Sequence, residues 1–456
     1  MRFLARIAFV AALLAPTIAL AQAAPIAGDW YGTLDAGVKL PLIFHIKADG
    51  ATAVDSLAQG AKGLPGKAVL TGGKLRIDLT VPLAAFEGQV SADGKTLTGQ
   101  WLQGGGKLPL VLNRDAPVAL AAPNRPQTPK PPFPYRAEDV SYLNPASGLK
   151  LAGTLTLPPG KGPFPVALLI TGSGIQDRDE TIGGHKPFLV LADALTRKGV
   201  AVLRVDDRGA GGSQPGELKA ATTTDFVTDV QAGVAFLRGR ADIDPTRIGL
   251  IGHSEGGLIA PIVAAKDPKI AFLVLMAGPG VPGDALLPTQ ARDVALASGA
   301  PAALAQQQTD LVVAANAIVK ADTDPAKIKP KLIALLIDKG IPSSTAAMQA
   351  DMMTSAWYRQ FLTLAPAASL GQVRAPVLAV NGAKDTQVSA EVNLPAIKAA
   401  LTQSQDVTTT ALPGLNHLFQ TAPTGAPQEY GLIEETLAPS ALNLIVDWTV
   451  AHTVKP

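Results

Sequence analysis

Between residues 26 and 114 apolar and polar positions alternate in short runs. LPLIFHI (40–46), KLRIDLTV (74–81), TLTGQW (96–101) and LPLVLN (108–113) each switch side every residue, and Gly-, Asp- and Lys-rich turns separate them. A period of two puts one face of each strand in a core and the other in water. The segment 24–115 is therefore predicted to be a small all-β domain, a barrel or sandwich. From Glu138 the pattern changes to near-continuous apolar runs separated by amphipathic stretches. FPVALLITG (164–172), VAVLRVDDRG (200–209), RIGLIGH (247–253), IAFLVLMAG (270–278) and APVLAVNG (375–382) read as buried strands, with KLAGTLTLP (150–158) and VTTTALPG (407–414) beside them. PFLVLADALTRKG (187–199) and TTDFVTDVQAGVAFLRGR (223–240) read as helices, the first stopped by Gly199 and the second opened by Thr and Asp. Strands apolar on both faces and joined by helices predict an α/β domain over 136–456, with a mostly parallel sheet covered on both sides. From about 280 to 368 the strands stop and helix-like sequence takes over, which predicts a helical insertion over that sheet.

Residues 116–135, APVALAAPNRPQTPKPPFPY, carry too many prolines for a helix or a sheet ladder. They mark the boundary between the two domains as an extended, semi-rigid spacer. At the other extreme, Arg2 and Arg6 precede an apolar run from Ile7 to Leu20 that ends in small residues around Ala21 and Ala23. That is the layout of a secretory signal peptide over residues 1–23, and the run is too short for a comfortable membrane span. An uncleaved anchor is the alternative. No later segment approaches a span, so a periplasmic or secreted protein without a membrane-spanning mature chain is expected.

Composition narrows the chemistry. The chain has 39 basic and 37 acidic residues, and removing Arg2 and Arg6 leaves the two equal. A neutral chain lacks the electrostatic footprint of a nucleic-acid or anionic-membrane binder. Cysteine is absent, which excludes disulfides, thiolate catalysis and zinc–thiolate sites. Apolar residues make up 47% of the chain, enough for large cores without such staples.

The candidate chemistry centres on GHSEG (252–256), which follows the strand RIGLI and precedes the small apolar run GLIAPIVAA. A hydroxyl attacks only when it projects from the scaffold and a base takes its proton. A strained turn between strand and helix achieves the first, with glycines two residues either side of Ser254. Of five histidines, His45 lies in the β domain, His452 near the end of the chain and His253 on the strand beside the serine. His417, after the last strand, stands where the order Ser…Asp…His puts a general base, and His185 is its competitor. Asp385, a few residues past the carboxyl end of APVLAVNG, is the acid that would orient it. The oxyanion formed on attack needs backbone donors, and the amides of Glu255 and of Ser173 in TGSGIQDRDE are the candidates. A phosphate loop is the rival reading of GSG, but the Lys-Ser/Thr ending is missing. DRDE (177–180) and DDRG (206–209) suit a salt-bridge network holding that loop better than a substrate-binding group built on Arg178 or Arg208; a paired-carboxylate glycosidase would leave the order Ser…Asp…His unexplained, and no spacing matches a metal motif. No cofactor and no metal are called for.

The run LLITGSGIQDRDETIGGHKPFLVLADALTRKGVAVLRVDDRGAGGS followed by IGLIGHSEGG resembles the serine esterases and S33-type peptidases of the α/β-hydrolase superfamily. It is especially similar to a bacterial carboxylesterase group. The resemblance, covering roughly 138–456, implies Ser254 as nucleophile, Asp385 as acid and His417 as base. It also implies a small-molecule ester substrate and a cap formed by the insertion. Thr171-Gly172 stands where His-Gly is usual. A peptidase on the same triad, and a non-catalytic envelope or glycan binder on a degenerate scaffold, are the alternatives.

Overall fold

The computed structural model describes residues 26–35, 39–56, 61–79, 84–103, 106–115 and 124–453; the expected signal peptide lies outside the described residues. Alternation in the first domain produces eight strands: β1 (Gly28–Asp35), β2 (Lys39–Ile46), β3 (Ala51–Ser56), β4 (Ala61–Thr71), β5 (Lys74–Leu79), β6 (Ala84–Val90), β7 (Thr96–Gln103) and β8 (Gly106–Asn113). Each pairs antiparallel with the next, and β1 returns to β8 through Tyr31–Asn113 and Gly32–Leu112, closing a barrel. Closure removes the unpaired edges that an open sheet of this size would expose. An eight-stranded interior is just wide enough to be filled by side chains. Here Phe44 meets Phe86 and Trp101 edge-on at 6.1 and 6.2 Å, and Trp30 is fully buried beside them. His45 sits on the outer surface between Asp29 and Asp55.

The second sheet contains β9 (Arg136–Leu143), β10 (Lys150–Leu157), β11 (Phe164–Ile170), β12 (Ala201–Val205), β13 (Ile243–His253), β14 (Leu273–Met276), β15 (Val377–Gly382) and β16 (Val407–Leu412). Their order is β16-β15-β14-β13-β11-β12-β10-β9. The six strands from β16 to β12 run parallel; β10 runs against them, and β9, antiparallel to β10, forms the edge. This is the α/β-hydrolase fold. Period-two alternation decides which core each residue joins. Val166, Leu168 and Ile170 pack under α2 (Thr223–Arg238), α3 (Glu255–Lys266) and α10 (Ala390–Ala400), whereas Ala167 and Leu169 face α1 (Pro187–Arg197) and α11 (Pro439–Thr453).

The insertion folds as α4 (Gly283–Ala297), α5 (Ala302–Lys320), α6 (Pro325–Asp338), α7 (Ser343–Met353) and α8 (Ala356–Thr363). It has a small core of its own around Val319, Leu332, Met353 and Leu362. The short α9 (Pro366–Leu370) already returns to the main core through Leu370. The described part of the Pro-rich stretch is anchored to the α/β unit. Arg125 donates to the carbonyls of Gly183, Gly431 and Ile433 at 2.7–2.8 Å, and Gln127 bonds the backbone of Thr436 and Leu437. Proline keeps this segment out of the sheet, and its polar side chains make the attachment instead. Among the described residues no helix is long and apolar enough to cross a membrane.

Candidate active site

Ser254 joins the end of β13 to the start of α3 with φ 52° and ψ −118°. A non-glycine residue holds such a backbone only when its surroundings over-determine it. Those surroundings are glycine. A Cβ on Gly252 would lie 2.0 Å from the Gly256 carbonyl oxygen, and one on Gly256 would lie 2.2 Å from the Ile170 oxygen. The turn is pinned further by the Ser254 N–H donating to Met276 at 2.8 Å and by Gly257 donating back to the Ser254 carbonyl. The parallel register between β13 and β14 thus sets where the serine stands.

Asp385 and His417 come from the loops after β15 and β16, neighbouring strands whose carboxyl ends open on the same edge. One oxygen of the Asp385 carboxylate accepts the backbone N–H groups of Gln387 and Val388 at 2.9 and 2.8 Å. The other lies 2.8 Å from His417 Nδ1, and both side chains are buried. Asn416 stiffens the histidine's loop by accepting from the N–H groups of Leu418 and Gln420. With Nδ1 committed to the carboxylate, Nε2 makes no hydrogen bond to the described residues. The competing His185 is buried elsewhere, with Nδ1 on the Thr436 hydroxyl and Nε2 donating to the Tyr430 carbonyl. Burial first, and the charge of Arg125 second, push its imidazole down to about 4, so it stays neutral and fully engaged.

Ser254, His417, Ser173 and Glu255 all line one cavity of about 480 Å³. Its other walls are mostly apolar: the cap supplies Leu286 and Leu287 of α4, Met352 of α7, and Trp357, Tyr358 and Phe361 of α8, and loops of the α/β unit supply Ile182, Val388, Leu418 and Tyr430. In the Gly-rich loop after β11 the Gly172 N–H is taken by Glu180 at 2.7 Å. The Ser173 amide, next along, has no hydrogen bond to the described residues; nor has that of Glu255, at the first position of α3. Behind the loop, Arg178 grips Asp206 through two nitrogens, and Asp207 accepts from the Thr171 hydroxyl and the Gln176 N–H. Arg208 is bound to Asp229. DRDE and DDRG therefore brace the loop, as their charges suggested. Thr171, standing where His is usual, supplies its hydroxyl to that brace.

Two contacts were not legible in the sequence. His253 bridges Glu180 and the His417 carbonyl, although its place on the strand gave no sign of this. Glu255 is buried, accepts from Thr223 Oγ1 at 2.6 Å, and takes the indole N–H of Trp357 at 2.9–3.0 Å to its two oxygens. A glutamate directly after the serine was the available signal, since a buried carboxylate demands donors. The partner lies 102 residues away in the cap. Trp357→Phe keeps an aromatic side chain against Phe361 and removes the donor. A hydrogen bond to a charged group is worth about 1.5–3 kcal/mol, so the urea midpoint should fall by a corresponding amount. An unchanged midpoint would show that the cap does not depend on this contact.

The chain is similar to several known hydrolases. The family described as serine aminopeptidase, S33, matches residues 186–422. Esterase EstD of Thermotoga maritima is 34% identical over 143 residues, which is 31% of this chain and 33% of that protein. The thiohydrolase aneE of Aspergillus aculeatus is 29% identical over 136 residues, 30% of this chain and 40% of its own. The chain thus spans less than half the length of these curated relatives. Among solved structures, an esterase of Pyrococcus furiosus covers 64% of this chain and 90% of its own at 17% identity, with a TM-score of 0.42. Since the family match takes in more than half of the sequence, the protein belongs to the S33 serine aminopeptidase family of α/β-hydrolases.

Proposed function

We propose that the protein is a serine carboxylesterase acting on short-to-medium acyl esters. The observation that carries this reading is that Ser254 and the Asp385-oriented His417 line the same mostly apolar cavity under the cap. Ser254 Oγ attacks the ester carbonyl while His417 Nε2 takes its proton. The oxyanion is held by the amides of Ser173 and Glu255. Collapse of the tetrahedral intermediate breaks the ester C–O bond, and His417 returns the proton to the departing alcohol. Water, activated by the same imidazole, then attacks the acyl-enzyme and releases the acid.

The family's description favours a second reading, an aminopeptidase on the same groups. Holding a substrate's free amine calls for a carboxylate with capacity to spare. The carboxylates lining the cavity are Glu180 and Glu255, and both are occupied: the first by His253 and Gly172, the second by Thr223 and Trp357. Apolar walls instead suit an acyl chain, which gains about 0.8 kcal/mol per buried methylene. On the purified protein, kcat/KM for p-nitrophenyl butyrate should exceed that for aminoacyl p-nitroanilides. Faster turnover of the anilides, lost when their amine is blocked, would overturn the esterase reading in favour of the peptidase.

A further inference from the structure

His253 precedes Ser254 but hydrogen-bonds neither its hydroxyl nor the His417 ring nitrogens. Its Nε2 lies 3.0 Å from the His417 carbonyl oxygen. Its Nδ1 lies 2.9 Å from Glu180 Oε1, the same oxygen that accepts the Gly172 N–H. Both side chains are buried, at 5% and 1% exposure. A carbonyl oxygen can only accept, so Nε2 must carry a hydrogen. Two bare lone pairs facing each other at 2.9 Å would repel, so a further proton must lie between Nδ1 and Oε1. The pair therefore holds one proton more than a neutral imidazole beside a carboxylate, and its net charge is zero. Oε1 also accepts the Gly172 N–H, and two donors converging on one oxygen suit a carboxylate facing a ring that carries the proton.

We propose that His253 and Glu180 form a buried imidazolium–carboxylate pair whose role is to position the oxyanion loop and the base His417 relative to the nucleophile. The pair joins three segments distant in sequence: the end of β13, the loop after β11 and the loop after β16. Its cost shows in the backbone, because Glu180 is held at φ 52° although it is not glycine. Gly172 makes room for it: a Cβ there would sit 3.3 Å from Glu180 Oε1 and 3.2 Å from the Ser254 Cβ. The titratable groups around His253 are Glu180 from one loop, with His417, its ring centre 4.8 Å away, and Asp385 from the others. Burial lowers the His253 pKa, but the charge and hydrogen bond of Glu180, the His417 carbonyl and the charge of Asp385 outweigh it and raise the value above the ordinary histidine range. Both members are positioning residues.

This proposal rests on Ser254 being the nucleophile, and its primary test reads protonation rather than turnover, so the two can fail separately. Full-length protein labelled with ¹⁵N-histidine is observed by NMR at about pH 8.5, roughly two units above the ordinary histidine pKa. His253→Asn identifies the resonances. The expected result is an imidazole with hydrogens on both nitrogens, lost in Glu180→Gln. The same isosteric variant should lower kcat for p-nitrophenyl butyrate by about 10²-fold, the order that small misplacement of reacting groups costs, with little change in KM. Glu180→Asp, which keeps the charge, should recover part of the loss. A bare Nδ1 on His253 in the wild-type protein overturns the proposal whether or not the variants fold. So does a folded Glu180→Gln enzyme with unchanged kcat.

Discussion

Ser254→Ala should abolish ester hydrolysis, lowering kcat by about 10⁶-fold, the scale seen when a triad serine is removed. The fold should survive. The serine oxygen makes no hydrogen bond to the described residues, and alanine meets the same left-handed backbone that serine already tolerates at φ 52°. What shapes the turn is the pair of flanking glycines and the Met276 carbonyl, and the substitution leaves them in place. Circular dichroism and thermal midpoint should match the wild type while p-nitrophenyl butyrate is left intact. A folded variant that still turns the ester over would remove Ser254 from the mechanism.

The second large effect is expected from Asp385→Asn, and its reason is a tautomer. In the wild type one oxygen is committed to the Gln387 and Val388 N–H groups, which leaves the other to accept from His417 Nδ1–H. An asparagine must keep its carbonyl toward those two amides, because its NH₂ group could only oppose them. The NH₂ then faces Nδ1 and donates to it. His417 is driven into the tautomer with its hydrogen on Nε2, the nitrogen that has to take the serine proton. A loss of about 10⁴-fold in kcat follows, with KM and stability little altered. Near-normal turnover by the asparagine variant would show that this carboxylate does not govern the imidazole.

The buried strands β11, β12, β13, β14 and β15 were legible because runs such as VALLI and LVLM are apolar at every position, which only a sheet covered on both faces tolerates. Barrel closure was not. Alternation tells which side of β1 is buried, but not that Tyr31 will pair with Asn113. The places of Ser254, Asp385 and His417 were legible for a topological reason: each stands just past the carboxyl end of a parallel strand, and parallel register lines those ends along one edge. The supporting contacts were hidden. Glu180 reaches His253 across 73 residues and Glu255 reaches Trp357 across 102, and such pairs have no signature in local spacing. Burial supplied the missing constraint, since a carboxylate removed from water must find donors wherever the fold brings them. The loop brace was readable in outline from DRDE and DDRG, because that density of opposite charge near a Gly-rich loop has few other uses.

The central claim is that His417, steadied by Asp385, makes one hydroxyl in a capped cavity reactive toward acyl carbons. Covalent labelling of the purified protein with a fluorophosphonate, followed by mass mapping of its peptides, tests that most directly. The expected result is a single phosphonyl adduct on Ser254, displacing fluoride and absent from Ser254→Ala. A protein that stays unlabelled, or carries the adduct on another residue, would contradict it.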